Sequence, residues 1–271
     1  MLIDTHCHLD SGTWPEGAEA VVERARSAGV TGFVAIGVGS VAAAREAVSL
    51  ATRRPDVVAA VGVHPHDARG GVALAEELER EFSRSEVVAI GETGLDYHYD
   101  LSPREEQAAV FRWHVAAARR YKKPLVIHTR SAPADTLRIL EEERAQDVGG
   151  IIHCFSEDRA FAQRALDLGF DLSFSGIVTF KKTTAIQDVA AWAPSDRILV
   201  ETDSPYLAPI PQRGKKCEPA YVLHTARFIA GLRNTPFEEL CRLTSDNATR
   251  RFGYAFGARL DARGARDQTE S

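Results

Sequence analysis

The feature that most constrains this chain is a regular switch between two hydrophobic periodicities. Short apolar runs alternate with longer stretches whose apolar residues recur at helical spacing. The strands read as Leu2–His6, Gly32–Ile36, Val57–Val63, Val87–Gly91, Leu125–His128, Gly150–His153, Asp171–Phe174 and Ile198–Glu201. Helices read as Gly17–Ala28, Val41–Arg53, Val72–Phe82, a segment from Ser102 to Lys123, Arg159–Leu168, Ile186–Trp192, Ala220–Leu232 and Pro236–Phe252. Strands separated by helices cannot pair as hairpins, so the sheet is parallel. About eight such units within 271 residues fit a closed (β/α)₈ TIM barrel, an α/β fold. An open doubly wound sheet is the alternative, but no Gly-x-Gly-x-x-Gly follows the first strand. The domain is expected to span 1–256, with a small, charged, polar tail over 257–271.

Two local readings sharpen this pattern. Ser102-Pro103-Arg104-Glu105 has the form of a helix start, with a Ser cap, Pro in the first helical position and Glu placed for a capping box. In the helix that follows, Phe111, His114, Val115 and Ala118 share one face, so His114 reads as a packing residue.

Composition excludes several classes. A net charge of −5 argues against coating a nucleic acid by bulk electrostatics, though not against a basic patch at a site. The four cysteines, Cys7, Cys154, Cys217 and Cys241, form no C-x-x-C and read as free thiols of a reducing compartment. There is no signal-peptide pattern and no apolar run long enough to span a bilayer, so a cytoplasmic location without membrane association is expected, and no obligate protein partner is inferred.

Polar residues interrupt the apolar pattern at one place in six of the eight units, the C-terminal end of the strand. His6 and His8 follow the first strand, His64 the third, Glu92 the fourth, His128 the fifth, His153 the sixth and Asp203 the eighth. His6 and His8 are two residues apart and point to one side, with Cys7 pointing away. Each of these residues alone has an ordinary explanation: a histidine on a backbone carbonyl, a glutamate capping a helix, an aspartate in a turn. In a barrel, however, all these strand ends face one mouth, where active sites form. Imidazoles and carboxylates are ligands for zinc, manganese, iron and magnesium. Their number exceeds what one tetrahedral ion needs and suits two ions bridged by a carboxylate, an arrangement used for hydrolysis.

These residues lie in motifs that together resemble the TatD family of metal-dependent deoxyribonucleases, within the amidohydrolase-like TIM barrels, and most of all its YcfH-type branch. The motifs are Leu2-Ile-Asp-Thr-His-Cys-His-Leu-Asp10, Gly62-Val-His-Pro-His66, Gly91-Glu-Thr-Gly-Leu-Asp-Tyr97, Pro124-Leu-Val-Ile-His-Thr-Arg130, His153-Cys-Phe-Ser156, Ser175-Gly-Ile-Val-Thr-Phe180 and Leu199-Val-Glu-Thr-Asp-Ser-Pro-Tyr206. The resemblance runs from Leu2 to Phe252. Ser131 departs from the pattern where an acidic residue is expected, and Glu92 stands where many amidohydrolases carry a carboxylated lysine.

The resemblance implies two divalent ions, zinc, magnesium, manganese or nickel. His6, His8 and Asp203 would hold one, His128 and His153 the other, with Glu92 bridging and Asp203 also acting as general base. It implies hydrolysis of DNA phosphodiester bonds from a single-stranded end, with His64 as a phosphate contact or support and His66 in a less defined role. Arg130 and Tyr206 are expected to meet substrate, as are Lys181, Lys182, Arg213, Lys215 and Lys216 on the loops after the seventh and eighth strands. Trp14 is expected either to stack on a base or to cover the rim. Two alternatives stand beside this reading: a D-aminoacyl-tRNA deacylase or other ester or amide hydrolase, and a metal-binding scaffold without turnover.

Overall fold

Eight strands form one parallel sheet in chain order, β1 (Ile3–Cys7), β2 (Gly32–Gly37), β3 (Val57–Val61), β4 (Val87–Asp96), β5 (Leu125–Arg130), β6 (Gly150–Ile152), β7 (Phe170–Phe174) and β8 (Ile198–Val200). The structure is a computed structural model and describes residues 1–254. The tail expected over 257–271, and the last two residues of the expected domain, lie outside the described residues.

The sheet closes on itself through residues just beyond β1 and β8. The Asp203 N–H donates to the His6 carbonyl at 2.9 Å, the His8 N–H donates to the Ser204 carbonyl at 2.9 Å, and Cys7 bridges Ser204 in parallel. The Asp4 carboxyl completes the seam by accepting from the Thr202 N–H and hydroxyl. The expected (β/α)₈ barrel is therefore the fold. Alternate strand residues Val34, Ile36, Val58, Ala60, Val126, Ile151 and Leu199 fill its interior as one apolar cluster. Their neighbours in sequence, such as Phe33, Ala35, Leu125 and Ile152, pack outward under the helices.

The helices are α1 (Ala18–Ser27), α2 (Val41–Arg53), α3 (Ala73–Leu78), α4 (Arg104–Tyr121), α5 (Pro133–Glu142), α6 (Arg159–Asp167), α7 (Thr184–Trp192), α8 (Val222–Leu232) and α9 (Phe237–Phe252). α9 adds Ala248 and Phe252 to the interior cluster. It is anchored by Arg251 on the buried Asp171 and by the Ser245 hydroxyl on the Met1 carbonyl. Among the described residues no helix is long and apolar enough to cross a membrane, and all four cysteines are free.

Four sequence expectations need correction. α5 was not anticipated; its apolar face, Leu137, Ile139 and Leu140, is short and lies among charges. The helix expected over Val72–Phe82 breaks at Leu78 into a 3₁₀ turn, Glu79–Glu81. β4 does not stop at Gly91 but continues to Asp96, paired with β5 to Arg130. Ser102 does not cap α4: its hydroxyl donates to the His66 carbonyl at 2.8 Å and accepts from the Arg69 N–H at 3.0 Å, while Pro103 occupies the cap position. Ser102 thereby ties the loop after β3 to the start of α4.

His114 is a packing residue, as expected, with a defined tautomer. Its Nδ1 donates to the Val110 carbonyl at 2.8 Å and its Nε2 accepts from the Val63 N–H at 3.1 Å. Burial lowers its pKa from the ordinary 6.5 to about 4. The folded state thus binds this proton less readily than the unfolded chain does. The stability it contributes is complete above pH 6.5 and is lost as pH falls toward 4, about 3 kcal/mol in all. In His114→Gln, thermal unfolding should show a correspondingly shallower acid-side loss than in the wild type.

Candidate metal centre

The C-terminal mouth of the barrel opens into a cavity of about 630 Å³ whose lining includes His8, His64, Glu92, His128, His153 and Asp203. His6 lies immediately beneath, fully buried, its ring stacked on His153 with centroids 3.6 Å apart. The barrel seam explains how residues so far apart in sequence meet, since the backbone bond from Asp203 to His6 sets their spacing.

Glu92 is placed by a bulge. Gly91 pairs with Val126 and Thr93 with Ile127, so Glu92 is the extra residue in β4 and its side chain turns into the barrel. Glycine is required on both sides of it: a Cβ on Gly91 would sit 2.4 Å from the Val126 carbonyl oxygen, and one on Gly94 2.0 Å from that of His128. The Glu92 carboxylate is the hub of the cavity. Its Oε1 lies 2.9 Å from His128 Nδ1, 3.1 Å from His153 Nε2 and 3.4 Å from His64 Nε2, and its Oε2 lies 3.3 Å from His6 Nε2. Asp203 Oδ1 is 3.7 Å from His6 Nε2 and 3.6 Å from His8 Nε2.

Electrostatics follow this geometry. Burial alone would raise the pKa of Glu92, but His153, His64 and His6 outweigh it and hold the carboxyl well below its usual range. Burial lowers His153, yet Glu92 and Glu201 override it and hold the imidazole well above its usual range. His6, where burial and His153 act together, is lowered. Asp203 is lowered despite burial by the His8 imidazole 3.6 Å away and by the His153 and His6 imidazoles. The centre thus favours positive charge around ionised carboxylates, as a divalent cation would require.

One feature tests whether the residues fit a metal. Both ring nitrogens of His6 are buried without a hydrogen-bond partner, which costs about 1–3 kcal/mol for a polar group left this way. His6 Nε2 faces two carboxylates, Glu92 Oε2 at 3.3 Å and Asp203 Oδ1 at 3.7 Å, without a hydrogen bond to either, an arrangement suited to a shared cation. His6, His8 and Asp203 form one group of donors within 4.8 Å of one another, and His64, Glu92 and His128 form another. His153 reaches the same oxygen of Glu92 as His128. The residues present therefore fit metal ions. His64, set apart from the ligands in the sequence reading, stands among the donors.

Family comparison agrees with this centre. Residues 3–253 match the family described as TatD related DNase. The chain belongs to the TatD family. This TatD-family chain is 42% identical to the metal-dependent hydrolase YcfH of Escherichia coli K12 over 255 residues, covering 93% of this chain and 96% of the relative. It is 32% identical to the 3′-5′ ssDNA/RNA exonuclease TatD of Erwinia billingiae, covering 93% and 98%. The crystal structure of YJJV, a TatD homologue from E. coli K12, superposes with a TM-score of 0.86 at 27% identity, covering 94% and 98%. As a TatD-family member the protein is a metal-dependent hydrolase.

The residues expected to meet substrate divide. Arg130 and Tyr206 line the cavity, Arg130 over the Tyr99 ring at 4.6 Å and Tyr206 61% exposed. Lys181 and Lys182 are exposed and do not line it. Trp14 covers the rim rather than offering a stacking face: it is 3% exposed, its indole N–H donates to the His8 carbonyl, and Lys216 lies over its ring. Cys7 packs away from the centre against the Val34 carbonyl. Cys154 lines the cavity with its Sγ 3.2 Å from the Ser175 hydroxyl.

Two functional candidates escaped the sequence reading. Asp96 Oδ2 sits 3.1 Å from His128 Nε2 and 2.9 Å from His66 Nε2. Glu201 Oε1 sits 2.9 Å from His153 Nδ1. Each lies inside a quoted motif at a strand end, the only signal that marked them.

Proposed function

We propose that this protein cleaves phosphodiester bonds in DNA, from a single-stranded end, at a centre of two divalent ions. The observation that carries the reading is the division of one carboxylate between two sets of donors: Glu92 turns Oε1 to His128 and His153 and Oε2 to His6. In this reading His6, His8 and Asp203 hold one ion, His128 and His153 the other, and Glu92 both. Mixed imidazole and carboxylate donors suit zinc, manganese or nickel better than magnesium, which prefers oxygen alone. When bound, such a pair lowers the pKa of a water and neutralises charge on phosphoryl oxygens.

The chain's own residues supply the remainder. Asp203, ionised at neutral pH, accepts the proton of the attacking water at a carboxylate oxygen. His64 faces the cavity beside Glu92, where a phosphoryl oxygen would lie. Arg130 and Tyr206 stand at the mouth for the flanking phosphate and base. The family's description as DNases and the name of the Erwinia relative support a polynucleotide substrate.

The test is to assay metal-loaded protein on end-labelled single-stranded DNA and on a D-aminoacyl-tRNA. Degradation of the DNA from one end supports the reading; turnover of the aminoacyl ester alone would replace it, and turnover of neither would overturn it in favour of another ester or amide substrate. A second variant probes the backbone track. Lys216 is tied to the rim through the Thr13 carbonyl and the Trp14 ring, whereas Lys215 donates to the Gln212 side chain of its own loop, so the change is confined to Lys181, Lys182 and Lys215. Neutralising these three should raise KM for a DNA strand and flatten its dependence on salt, since fewer counterions are released, while a small chromogenic phosphodiester is hydrolysed as before. Equal losses on both substrates would remove the lysines from substrate binding.

A further inference from the structure

We infer that Glu201 and Asp96 are positioning residues that make one ion site of this centre tighter than the other and the first to fill. The inference rests on the ligand sets proposed above. Glu201 is fully buried, and both its oxygens are engaged. Oε1 accepts from His153 Nδ1 at 2.9 Å and from the Cys154 N–H at 2.8 Å. Oε2 accepts from the Ser173 hydroxyl at 2.5 Å, itself 3.0 Å from the Thr5 hydroxyl. The carboxylate is thus tied to β1, β7 and the turn after β6. With Nδ1–H held by Glu201, His153 presents the lone pair of Nε2 to the cavity, 3.1 Å from Glu92 Oε1.

Asp96 does the same for His128 from the far end of the extended β4. It is fully buried, and its Oδ1 accepts from the His98 and Tyr99 N–H groups at 2.9 Å. Its own N–H is held by Gln107. Oδ2 takes His128 Nε2, which leaves Nδ1 aimed at Glu92. Both imidazoles of this site are therefore oriented before an ion arrives, each by a carboxylate that is itself fixed.

The other site has no such support on His6, whose two nitrogens lack hydrogen-bond partners. That ring is placed by stacking on His153. An ion between His128, His153 and Glu92 meets donors already aimed. An ion between His6, His8 and Asp203 must order its own donors, at a cost in affinity. Outer carboxylates on metal-bound histidines are typically worth about 10–100-fold in affinity.

Calorimetric titration of metal-stripped protein with Zn²⁺, in the presence of a competing chelator, reads this directly. The wild type should show two steps of unequal affinity. Glu201→Ala should weaken the tighter step by about 10–100-fold and the weaker step by much less. Glu201→Gln, which keeps an acceptor for His153 but not the charge, should fall between. His6→Ala should abolish the weaker step alone. Should Glu201→Ala fail to fold, Ser173→Ala keeps the Glu201 carboxylate while removing the donor to Oε2, together with its bond to the Thr5 hydroxyl, and should weaken the same step to a smaller degree. Two equal steps in the wild type, or equal weakening of both by Glu201→Gln, would overturn the inference while leaving the two-ion reading intact. A single step in the wild type would overturn both.

Discussion

Replacing Glu92 with alanine is expected to weaken both ion sites at once. The Glu92 carboxylate faces both sets of donors: its Oε1 meets His128 and His153 and its Oε2 faces His6. A ligand shared by two ions should cost each of them more than the about 10–100-fold that loss of an outer partner costs. Elemental analysis of gently purified protein at saturation should find more than one divalent ion per chain in the wild type and a clear deficit at both sites in Glu92→Ala. The deficit has a second source. The carboxylate also holds positive charge in a buried place, so its removal leaves four imidazoles, those of His6, His64, His128 and His153, without the negative charge they share. Retention of both ions at wild-type affinity would remove Glu92 from the bridging role.

The second large effect is expected from Asp203→Asn. Its backbone N–H closes the barrel on the His6 carbonyl, and asparagine keeps that bond. Asparagine also keeps an oxygen within reach of His6 and His8, so metal occupancy should survive in part. What it loses is the proton acceptor. Asp203 carries a pKa below the ordinary carboxylate range even though burial pushes the other way, so it is ionised throughout the neutral range. Without it turnover should fall by about 10²–10⁴-fold, the usual contribution of a general base. Measured kcat with ion content determined on the same sample separates this from metal loss; near-normal turnover would exclude Asp203 as the base.

The two carboxylates differ in how visible they were. Asp203 and the histidines stand out in the sequence because polar residues end otherwise apolar strands. Glu92 stands out for the same reason, but its reach into the barrel depends on a bulge that pairing with β5 imposes. Asp96 was hidden because the strand was expected to stop at Gly91, where two glycines in four residues read as a turn. In the fold those glycines are strand residues pressed against the β5 backbone. Ser102 misled in the opposite sense: its spacing matched a capping box, yet its hydroxyl serves the His66 carbonyl and the Arg69 N–H across a loop.

By itself the sequence determined the barrel, because parallel strands of this number, each buried on both faces, leave few ways to remove every edge from water. It also determined which residue types stand at the mouth, since strand ends in a barrel share one face. Tertiary structure alone decided how those residues are held. The orientation of three of the imidazoles depends on a partner from another strand: Glu201 for His153, Asp96 for His128, and the ring of His153 for His6. Such pairings join positions up to 147 residues apart, between His6 and His153. Their distances are set by barrel closure, which no local pattern in the chain encodes.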